Sequence, residues 1–272
     1  MRAGAASTTA SIVACARGAA GVDPVARRLV PPGYAQVAFV GAHGLAPLVP
    51  LADMMRVRTL AIDGVVGDAA SRGVAQLVVV GAGLCARAWR MDALAGSIVF
   101  ELDHPATQRS KRRRLGAIEA RAREVRFVGV DLEHEDLAAA LEREGHDRAA
   151  PTTWIWEGVT PYLTPAAIAA TLSRIRASSA AGSVLAVTYA TPVGPGTAPL
   201  HRVLQRLAHP LLRVLGEPLR GLLTPDEVRD LLEAHGFSVL EDAGYVERAS
   251  RLGLRPPREI VPERLAVGIT RA

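Results

Sequence analysis

A regular alternation of short apolar runs with helical segments, from residue 77 onward, constrains the fold more than any other feature of the sequence. Each run has the length of a buried strand, and each of the first four is followed by a segment with helical periodicity. Apolar strands that alternate with helices form a parallel sheet that is covered on both faces. Strands are predicted at 77–80, 97–103, 125–131, 152–158, 183–190, 237–244 and 264–272, and helices at 84–94, 105–119, 134–144, 164–178 and 224–236.

The last two predicted strands depart from this alternation. The segment between them contains Gly253, Pro256 and Pro257 and shows no clear helical pattern, which favours an antiparallel pair. Because crossovers between parallel strands are right-handed, the rest of the sheet is expected to be doubly wound. The predicted fold class is therefore α/β, with a Rossmann-like, seven-stranded, mostly parallel sheet and an antiparallel last strand.

The chain is expected to form a single domain, 1–272, with two additions to the core. Residues 1–76 look helical and are interrupted by prolines, so they are predicted to form an N-terminal cap. Residues 77–190 supply the cofactor-binding core, 191–223 a lid insertion, and 224–272 the C-terminal part of the core. Ligands of open α/β sheets bind beyond the carboxyl ends of the strands, where both additions would line a pocket.

Composition narrows the possible partners and compartments. Hydrophobic residues make up 49% and charged residues 22% of the chain, which is typical of globular proteins. Cys15 and Cys85 have neither metal-ligand nor disulfide-framework spacing, and this fits a reducing cytoplasm. The apolar runs stay shorter than the roughly 18 residues that a membrane-spanning helix needs. We therefore expect a cytoplasmic protein without a metal site or a membrane partner, and the sequence leaves the oligomeric state open.

The net charge of +5 raises the question of a nucleic-acid partner. The basic residues are scattered, apart from Arg109 and the run Lys111–Arg114, and no aromatic side chains alternate with that run. We interpret the run as the solvated face of a helix, and we expect no nucleic acid to bind.

The turn after the first strand gives the first indication of which cofactor the chain binds. The stretch LVVVGAGLCARAWRM, residues 77–91, places Gly81 and Gly83 between a strand and a helix, in the pattern G-x-G-x-x-G/A. Asp103 ends the next strand, 20 residues after Gly83, at the position of a carboxylate that binds ribose hydroxyls. This pattern alone is compatible with a NAD(P)-dependent oxidoreductase.

Two further carboxylates distinguish the cofactor classes. Asp131 ends the third predicted strand and Glu157 the fourth, so three acidic side chains are expected beside the glycine turn. A pyrophosphate is repelled by such a cluster, whereas S-adenosylmethionine carries an adenosine and a positive charge but no phosphate. The strand ends therefore favour S-adenosylmethionine as the cofactor, and a methyltransferase over an oxidoreductase.

Several motifs in a fixed order resemble the leucine carboxyl methyltransferase-like family, which includes many bacterial S-adenosylmethionine-dependent O-methyltransferases, among them polyketide O-methyltransferase-like members. The motifs are LVVVGAGLCARAWRM, IVFELDHP, VGVDLEHE, WIWEGVTPYLTPAAI and LTPDEVRDLLEAHGFSVLEDAG. The resemblance runs from about residue 54 to the end and is fainter in TASIVACARGAAGVDPVARRLVP. It implies the class I methyltransferase fold and S-adenosylmethionine as the cofactor.

The resemblance also implies which residues hold the adenosine half of the cofactor. Gly81 and Gly83 would shape the turn, and Asp103 would bind the ribose hydroxyls. Asp131 and Leu132 would border the adenine, with the carboxylate accepting a hydrogen bond from the exocyclic amine.

At the amino-acid half, the resemblance implies charged contacts. Glu157 would lie beside this half, and Arg58 in RVRTLAID would pair with the cofactor carboxylate, with Arg17 as a second candidate. Arg87 follows the turn, and its position fits a cofactor-site residue and a solvated helix residue equally.

The chain departs from the family pattern at the turn. Bacterial members commonly show GAGLDTRAYR, whereas this sequence has GAGLCARAWR, with Cys85 and Ala86 at the changed positions. The region between Arg17 and Asp23 also looks shortened. We expect these departures to affect affinity for the cofactor more than the fold.

The acceptor is expected to be a small molecule of secondary metabolism that is methylated on oxygen. A carboxylate acceptor is ionised at neutral pH and needs no base, whereas a phenol would benefit from one. The candidates for orienting or deprotonating an acceptor are Tyr162, His201 and His209. Two alternatives stay open, a NAD(P)-dependent oxidoreductase and a non-catalytic basic binding protein with a degenerate cofactor fold.

Overall fold

A single mixed sheet organises the computed structural model, which describes residues 8–30, 48–131, 135–192, 219–259 and 262–271. Its seven strands have the order β3-β2-β1-β4-β5-β7-β6. The strands are β1 Gln76–Val80, β2 Ile98–Asp103, β3 Glu124–Gly129, β4 Thr152–Trp156, β5 Val184–Ala190, β6 Phe237–Gly244 and β7 Glu263–Thr270. All seven predicted strands are present, each within two residues of its predicted ends.

The strand directions confirm the prediction. Strands β1 to β5 pair in parallel, with β1 between β2 and β4. Strand β7 lies between β5 and β6 and runs antiparallel to both. The carboxyl ends of β1 to β4 therefore meet at one edge of the sheet. Because β7 is antiparallel, it begins at that same edge, where Glu263 is the register partner of Ala190.

Helices cover both faces of the sheet, and each face has its own apolar core because alternate strand residues point to opposite sides. The helices are α1 Thr8–Ala19, α2 Ala26–Leu29, α3 Leu48–Ser71, α4 Arg87–Arg90, α5 Pro105–Leu115, α6 Leu137–Arg143, α7 Pro165–Ala177, α8 Pro225–Ala234 and α9 Tyr245–Arg251. Leu77 and Val79 face residues of α1 to α5, whereas Val78 and Val80 face residues of α6 to α8. The N-terminal helices α1 to α3 thus complete one face of the sheet.

The predicted helix over 84–94 is wrong in extent. The structure has two short pieces there, α4 and a 3₁₀ turn over Asp92–Leu94. Met91 is extended between them (φ −99°, ψ 110°), and this conformation interrupts the helical hydrogen bonds. Apolar residues at helical spacing in this stretch are buried without forming a continuous helix.

The connection between β6 and β7, predicted to lack a helix, contains α9, so that expectation is wrong. The backbone N–H of Gly244 donates to Oε2 of Glu247 over 2.6 Å and caps the start of α9. Gly253, with φ 64°, follows the helix, and the two prolines come later still. The breaker residues end the helix rather than prevent it.

The basic run on α5 is only partly a solvated face. Arg109, Arg112 and Arg113 are exposed, as predicted. Lys111 is buried instead: its Nζ donates to both carboxylate oxygens of Glu101 over 2.6 and 2.7 Å, and each of the two side chains is 1% exposed. Lys111 needs this partner because an unpaired buried charge is strongly destabilising. A run of like charges gives no sign of which member points inward.

Candidate cofactor site

The turn after β1 brings the backbone close to neighbouring elements. Gly81 and Gly83 have positive φ values of 67° and 49°. A Cβ atom at Gly81 would lie 2.6 Å from Cγ2 of Val159, so a side chain there would force the loop after β4 to shift. The backbone N–H of Ala82 donates to the carbonyl oxygen of Leu102 over 2.8 Å and ties the turn to β2.

Asp103, the last residue of β2, binds the turn through backbone groups. Its Oδ2 accepts a hydrogen bond from the N–H of Gly83 over 2.5 Å, and its Oδ1 accepts one from the N–H of His104 over 2.6 Å. Burial raises the pKa of this carboxyl above its usual value, although the two N–H groups oppose the shift. Asp103 therefore lies beside the turn, and its contact with a ribose stays a prediction.

Asp131, the carboxylate predicted to end the third strand, lies farther from that strand than the sequence predicts. Strand β3 ends at Gly129, so Asp131 belongs to the loop after the strand. The backbone N–H of Asp131 donates to Oε2 of Glu135 over 2.7 Å. Leu132 lies outside the described residues, and the contact of both residues with adenine stays a prediction.

Glu157 follows β4 directly and is contacted by arginines from three segments. Nη1 of Arg87 donates to Oε2 of Glu157 over 2.7 Å. Nε of Arg58 lies 2.9 Å from Oε1, and Nη1 of Arg17 lies 4.0 Å from the same oxygen. Burial alone would raise the pKa of Glu157, but Arg87, Arg58 and Arg17 together hold it well below its usual range. The expectation that Glu157 repels an anionic ligand is therefore wrong, because these guanidinium groups balance its charge.

These contacts belong to a closed ring of six alternating charges, which we call the charge ring. Its members are Arg17, Asp23, Asp63, Arg87, Arg90 and Glu157, and none of their side chains is more than 14% exposed. From Glu157 the ring passes through Arg87 to Asp63 over 2.8 Å and on to Arg90 over 2.6 Å. It closes through Asp23, which lies 3.7 Å from Arg90 and 3.4 Å from Arg17. The ring thus joins α1, α3, α4 and the end of β4.

Arg58 connects the charge ring to the C-terminal part of the chain. Its Nη1 donates to both carboxylate oxygens of Glu263, over 3.0 and 3.2 Å. The hydroxyl of Tyr245 donates to Oε1 of Glu263 over 3.0 Å. With this branch, four arginines face four carboxylates among the described residues of the cluster. Such a balance is needed because breaking a buried ion pair leaves an uncompensated charge.

The charge ring and its branch retain buried polar atoms without a hydrogen-bond partner in the described part of the chain. The donors are Nε of Arg17, Nε of Arg58, Nη2 of Arg87 and Nε of Arg90, and the acceptor is Oε1 of Glu157. The close approach of Arg58 Nε to Glu157 is an ion pair whose direction does not make a hydrogen bond. A ligand with a carboxylate and an ammonium group would satisfy both kinds of atom. The residues present therefore fit the amino-acid half of S-adenosylmethionine.

The turn itself is also contacted by arginines. Nη2 of Arg17 donates to the carbonyl oxygen of Leu84 over 2.7 Å. Nη1 of Arg87 contacts Sγ of Cys85 over 3.4 Å, at one of the two positions where the sequence departs from the family pattern. Arg87 is 1% exposed, so its interpretation as a solvated helix residue is wrong.

Sequence reasoning missed five residues of this network, namely Asp23, Asp63, Arg90, Tyr245 and Glu263. One signal was available, because Arg87 and Arg90 are three positions apart and therefore share a helix face. The acidic partners come from distant segments, and no local pattern marks them.

Tyr162 ends a 3₁₀ turn, Thr160–Tyr162, and is partly buried. The backbone N–H groups of Arg220 and Gly221 donate to the carbonyl oxygen of Pro161 over 2.7 and 3.0 Å. The end of the predicted lid insertion therefore packs against the turn that carries Tyr162. Most of that insertion lies outside the described residues, as do two candidate bases, His201 and His209.

The sheet has the class I methyltransferase fold, and comparison with known proteins assigns the chain to the S-adenosylmethionine-dependent methyltransferases. Within that class, the chain belongs to the leucine carboxyl methyltransferase family, whose sequence profile matches residues 6–176. This confirms the resemblance and favours a methyltransferase over an oxidoreductase.

Relatives and solved structures agree with this assignment. A protein from Mycobacteroides abscessus named "Putative S-adenosyl-L-methionine-dependent methyltransferase" is 38% identical over 251 residues, which cover 83% of this chain and 78% of that protein. The chain spans about half the length of several other curated relatives.

Two solved structures share the fold at low identity. A DUF574 family protein from Streptomyces avermitilis is 18% identical, with a TM-score of 0.65 over 97% of this chain and 98% of that chain. The magnesium protoporphyrin IX methyltransferase of Synechocystis PCC 6803, solved with bound SAH, is 16% identical, with a TM-score of 0.51 over 88% of this chain and 94% of that chain. These likenesses confirm the predicted fold class.

Two kinds of feature are absent from the described ranges. No helix there combines the length and the apolar character that crossing a membrane requires. In the same ranges, no group of three or more His, Cys, Asp and Glu side chains could hold a metal ion.

Proposed function

We propose that this protein transfers the methyl group of S-adenosylmethionine to an oxygen atom of a small molecule of secondary metabolism, a carboxylate or a phenol. The observation that carries the proposal is the pairing of two half-sites at one edge of the sheet. One is the glycine turn with Asp103, and the other is the charge ring with its unsatisfied donors and acceptor. The family supports an oxygen acceptor, because it is named for methylation of a carboxyl group.

Each half-site would hold one half of the cofactor. Asp103 accepts hydrogen bonds from the ribose hydroxyls, while the glycine turn lets the backbone approach the ligand closely. Arg58, assisted by Arg17, pairs with the cofactor carboxylate, since charge-assisted hydrogen bonds are the strong ones. Glu157 Oε1 accepts from the ammonium group, which resolves the unsatisfied acceptor.

The residues of the site mainly align and desolvate the reactants. When bound, S-adenosylmethionine supplies a methyl group on a positively charged sulfur: the acceptor oxygen forms the new C–O bond with its own electron pair, the C–S bond breaks, and the sulfur keeps the pair. Val159 packs on Gly81, and no side chain of the charge ring is more than 14% exposed.

The acceptor is proposed to bind where the loop after β4 meets the end of the lid insertion. Tyr162 lies in this loop, and the segment around Gly221 is bonded to it. A carboxylate acceptor would need no base there, because it is ionised at neutral pH. A phenol, with a pKa of about 10, would need a base such as His201 or His209.

The test is a panel of aromatic and aliphatic acids and phenols, incubated with methyl-labelled cofactor and analysed by mass spectrometry. We expect label on an oxygen atom of one chemical group of the panel, and its loss in Arg58→Ala. The matched control is Arg121→Ala, which removes an arginine whose side chain is 62% exposed and paired at the surface. Label on carbon or nitrogen, or on the protein alone, would overturn the proposal.

A further inference from the structure

Arg58 is held on two sides, and only one of them belongs to the charge ring. On the first side lies Glu157, which also binds Arg87. On the second side lies Glu263, which has no other cation within the described network and accepts a hydrogen bond from Tyr245. Within the described network, Glu263 therefore pairs with no cation besides Arg58.

The carboxylate of Glu263 holds one nitrogen of the Arg58 guanidinium group. Both carboxylate oxygens of Glu263 accept from Nη1 of Arg58, over 3.0 and 3.2 Å. Tyr245 is 3% exposed, and the side chain of Glu263 is 13% exposed. Burial, and then the charge of Glu263, raises the pKa of Tyr245 well above its usual range, so the hydroxyl stays protonated and donates at neutral pH.

The fold delivers both residues to this place for a simple reason. Because β7 is antiparallel, its first residue, Glu263, lies at the edge where the parallel strands end. Tyr245 is the first residue of α9, and its ring packs with Met54 and Met55 of α3, the helix that carries Arg58. Tyr245 and Glu263 thus meet beside Arg58 on α3.

We propose that Glu263 and Tyr245 are positioning residues that hold Arg58 ready for the carboxylate of S-adenosylmethionine. The inference rests on the role of Arg58 in the proposed function. An arginine side chain has many rotamers, and a partner that fixes it beforehand reduces the ordering that the ligand must otherwise impose. Tyr245 acts one step further away, by orienting the carboxylate of Glu263.

The experiment compares two ligands by calorimetry, S-adenosylmethionine and 5′-methylthioadenosine, which lacks the amino-acid carboxylate. We expect Tyr245→Phe to weaken S-adenosylmethionine about threefold to tenfold, as for the loss of one hydrogen bond. We expect Glu263→Gln to weaken it by up to about tenfold, since a charge-assisted contact to Arg58 is lost but Arg58 itself remains. Neither change should alter the affinity for 5′-methylthioadenosine.

A matched control separates positioning from general loss of structure. Tyr189 is also buried, and its hydroxyl donates to a carboxylate, Asp242, over 2.6 Å; it belongs to the core that packs against α6 to α8. Tyr189→Phe should leave the ratio of the two affinities unchanged. In an Arg58→Ala background, Tyr245→Phe should have no further effect on S-adenosylmethionine, because a residue that acts through Arg58 cannot act without it.

The outcomes distinguish failure of the positioning role from failure of the proposed cofactor site. Equal losses for both ligands, a loss that persists without Arg58, or a matching effect of Tyr189→Phe would each overturn the positioning role. If Arg58→Ala itself binds S-adenosylmethionine as tightly as the unmodified protein, the proposed carboxylate site fails, and the positioning role fails with it.

Discussion

The two half-sites are built in different ways. The adenosine half-site uses backbone N–H groups of a short turn and one carboxylate, and its parts lie within β1, β2 and the turn between them. The amino-acid half-site is a network of charged side chains from α1, α3, α4, β4 and β7. The first depends on local conformation, whereas the second depends on the docking of distant segments.

Because of this difference, we expect the two half-sites to contribute differently to protein stability and to ligand affinity. The turn is fixed by glycine conformation and by hydrogen bonds to β2. A balanced network of buried charges is costly to desolvate and is strongly destabilised when one member is removed. We therefore expect changes in the amino-acid half-site to affect stability most, and changes in the adenosine half-site to affect ligand affinity most.

The largest effect is expected for Glu157→Gln, because it removes the carboxylate that Arg87, Arg58 and Arg17 share. The free energy of unfolding should fall by about 3–5 kcal/mol, as for a buried pair that loses one partner. Urea denaturation measures the change. The control is Asp92→Asn, whose side chain is 82% exposed, and which should leave stability nearly unchanged. A small loss for Glu157→Gln would show that the charge ring is not a stabilising unit.

The next largest effect is expected for Asp103→Ala in the adenosine half-site. Loss of a carboxylate that accepts charge-assisted hydrogen bonds should weaken S-adenosylmethionine by roughly 1.5–3 kcal/mol. Because both ligands contain the ribose, 5′-methylthioadenosine should weaken by the same amount. Calorimetry with both ligands gives the comparison. Unchanged binding of either ligand would contradict the assignment of this carboxylate.

Arg58→Ala should, unlike Asp103→Ala, weaken only one of the two ligands, and by a smaller amount. We expect about a tenfold loss of affinity for S-adenosylmethionine and no change for 5′-methylthioadenosine, since only the former has the carboxylate. Arg17 keeps part of the interaction, which limits the loss. The same calorimetric pair measures it, and parallel losses for the two ligands would indicate a structural role for Arg58.

The smallest effect concerns pH, and its sign differs between the half-sites. The pKa of Glu157 is lower in the folded chain than in the unfolded chain. As the pH falls below about 4.3, the unfolded chain therefore binds a proton that the folded chain does not, and stability is lost by up to about 1.4 kcal/mol per pH unit. For Asp103, whose pKa is raised, stability is instead gained as the pH falls through its titration.

Glu157→Gln isolates the first of these two contributions. Urea denaturation at a series of pH values from about 6 to 3 should show that the difference in stability between the two proteins shrinks as the pH falls. A difference that stays constant over this range would mean that Glu157 is not held ionised by its arginines.

The placement of Asp103 beside the glycine turn could be predicted from the sequence because its signals are local. Gly81, Gly83 and Asp103 follow strands, and both the glycine spacing and the strand ends are readable without a structure. The sheet was predictable for the same reason, since each strand carries its own apolar pattern. Glu263 had no such signal: the antiparallel direction of β7 was predicted, but the strand was expected to begin at 264, and α9, whose Tyr245 contacts Glu263, was not predicted.

The charges around Glu157 could not be predicted either, because they come from residues that are far apart in the sequence. Glu157 was counted with Asp103 and Asp131 in a cluster that would repel a pyrophosphate, because each of the three was predicted to end a strand. In the fold its neighbours are Arg17, Arg58 and Arg87, each brought by a different helix. The sign of a local potential is thus a property of the packed helices and could not be predicted from the strand ends.

The position of β7 between β5 and β6 has a consequence for how the chain is made. During synthesis on the ribosome, β6 emerges before the strand that will separate it from β5, and in the described sheet β7 is the neighbour to which β6 is bonded. Until β7 has been released, the nascent chain exposes an unpaired edge on β5 and a β6 that has no partner strand, which are features that promote association between chains. The arrival of β7 ends this exposed period and, in the same step, brings Glu263 to Arg58. The contact between Glu263 and Arg58 and the protection of the open edge of β5 are therefore acquired together, when β7 joins the sheet.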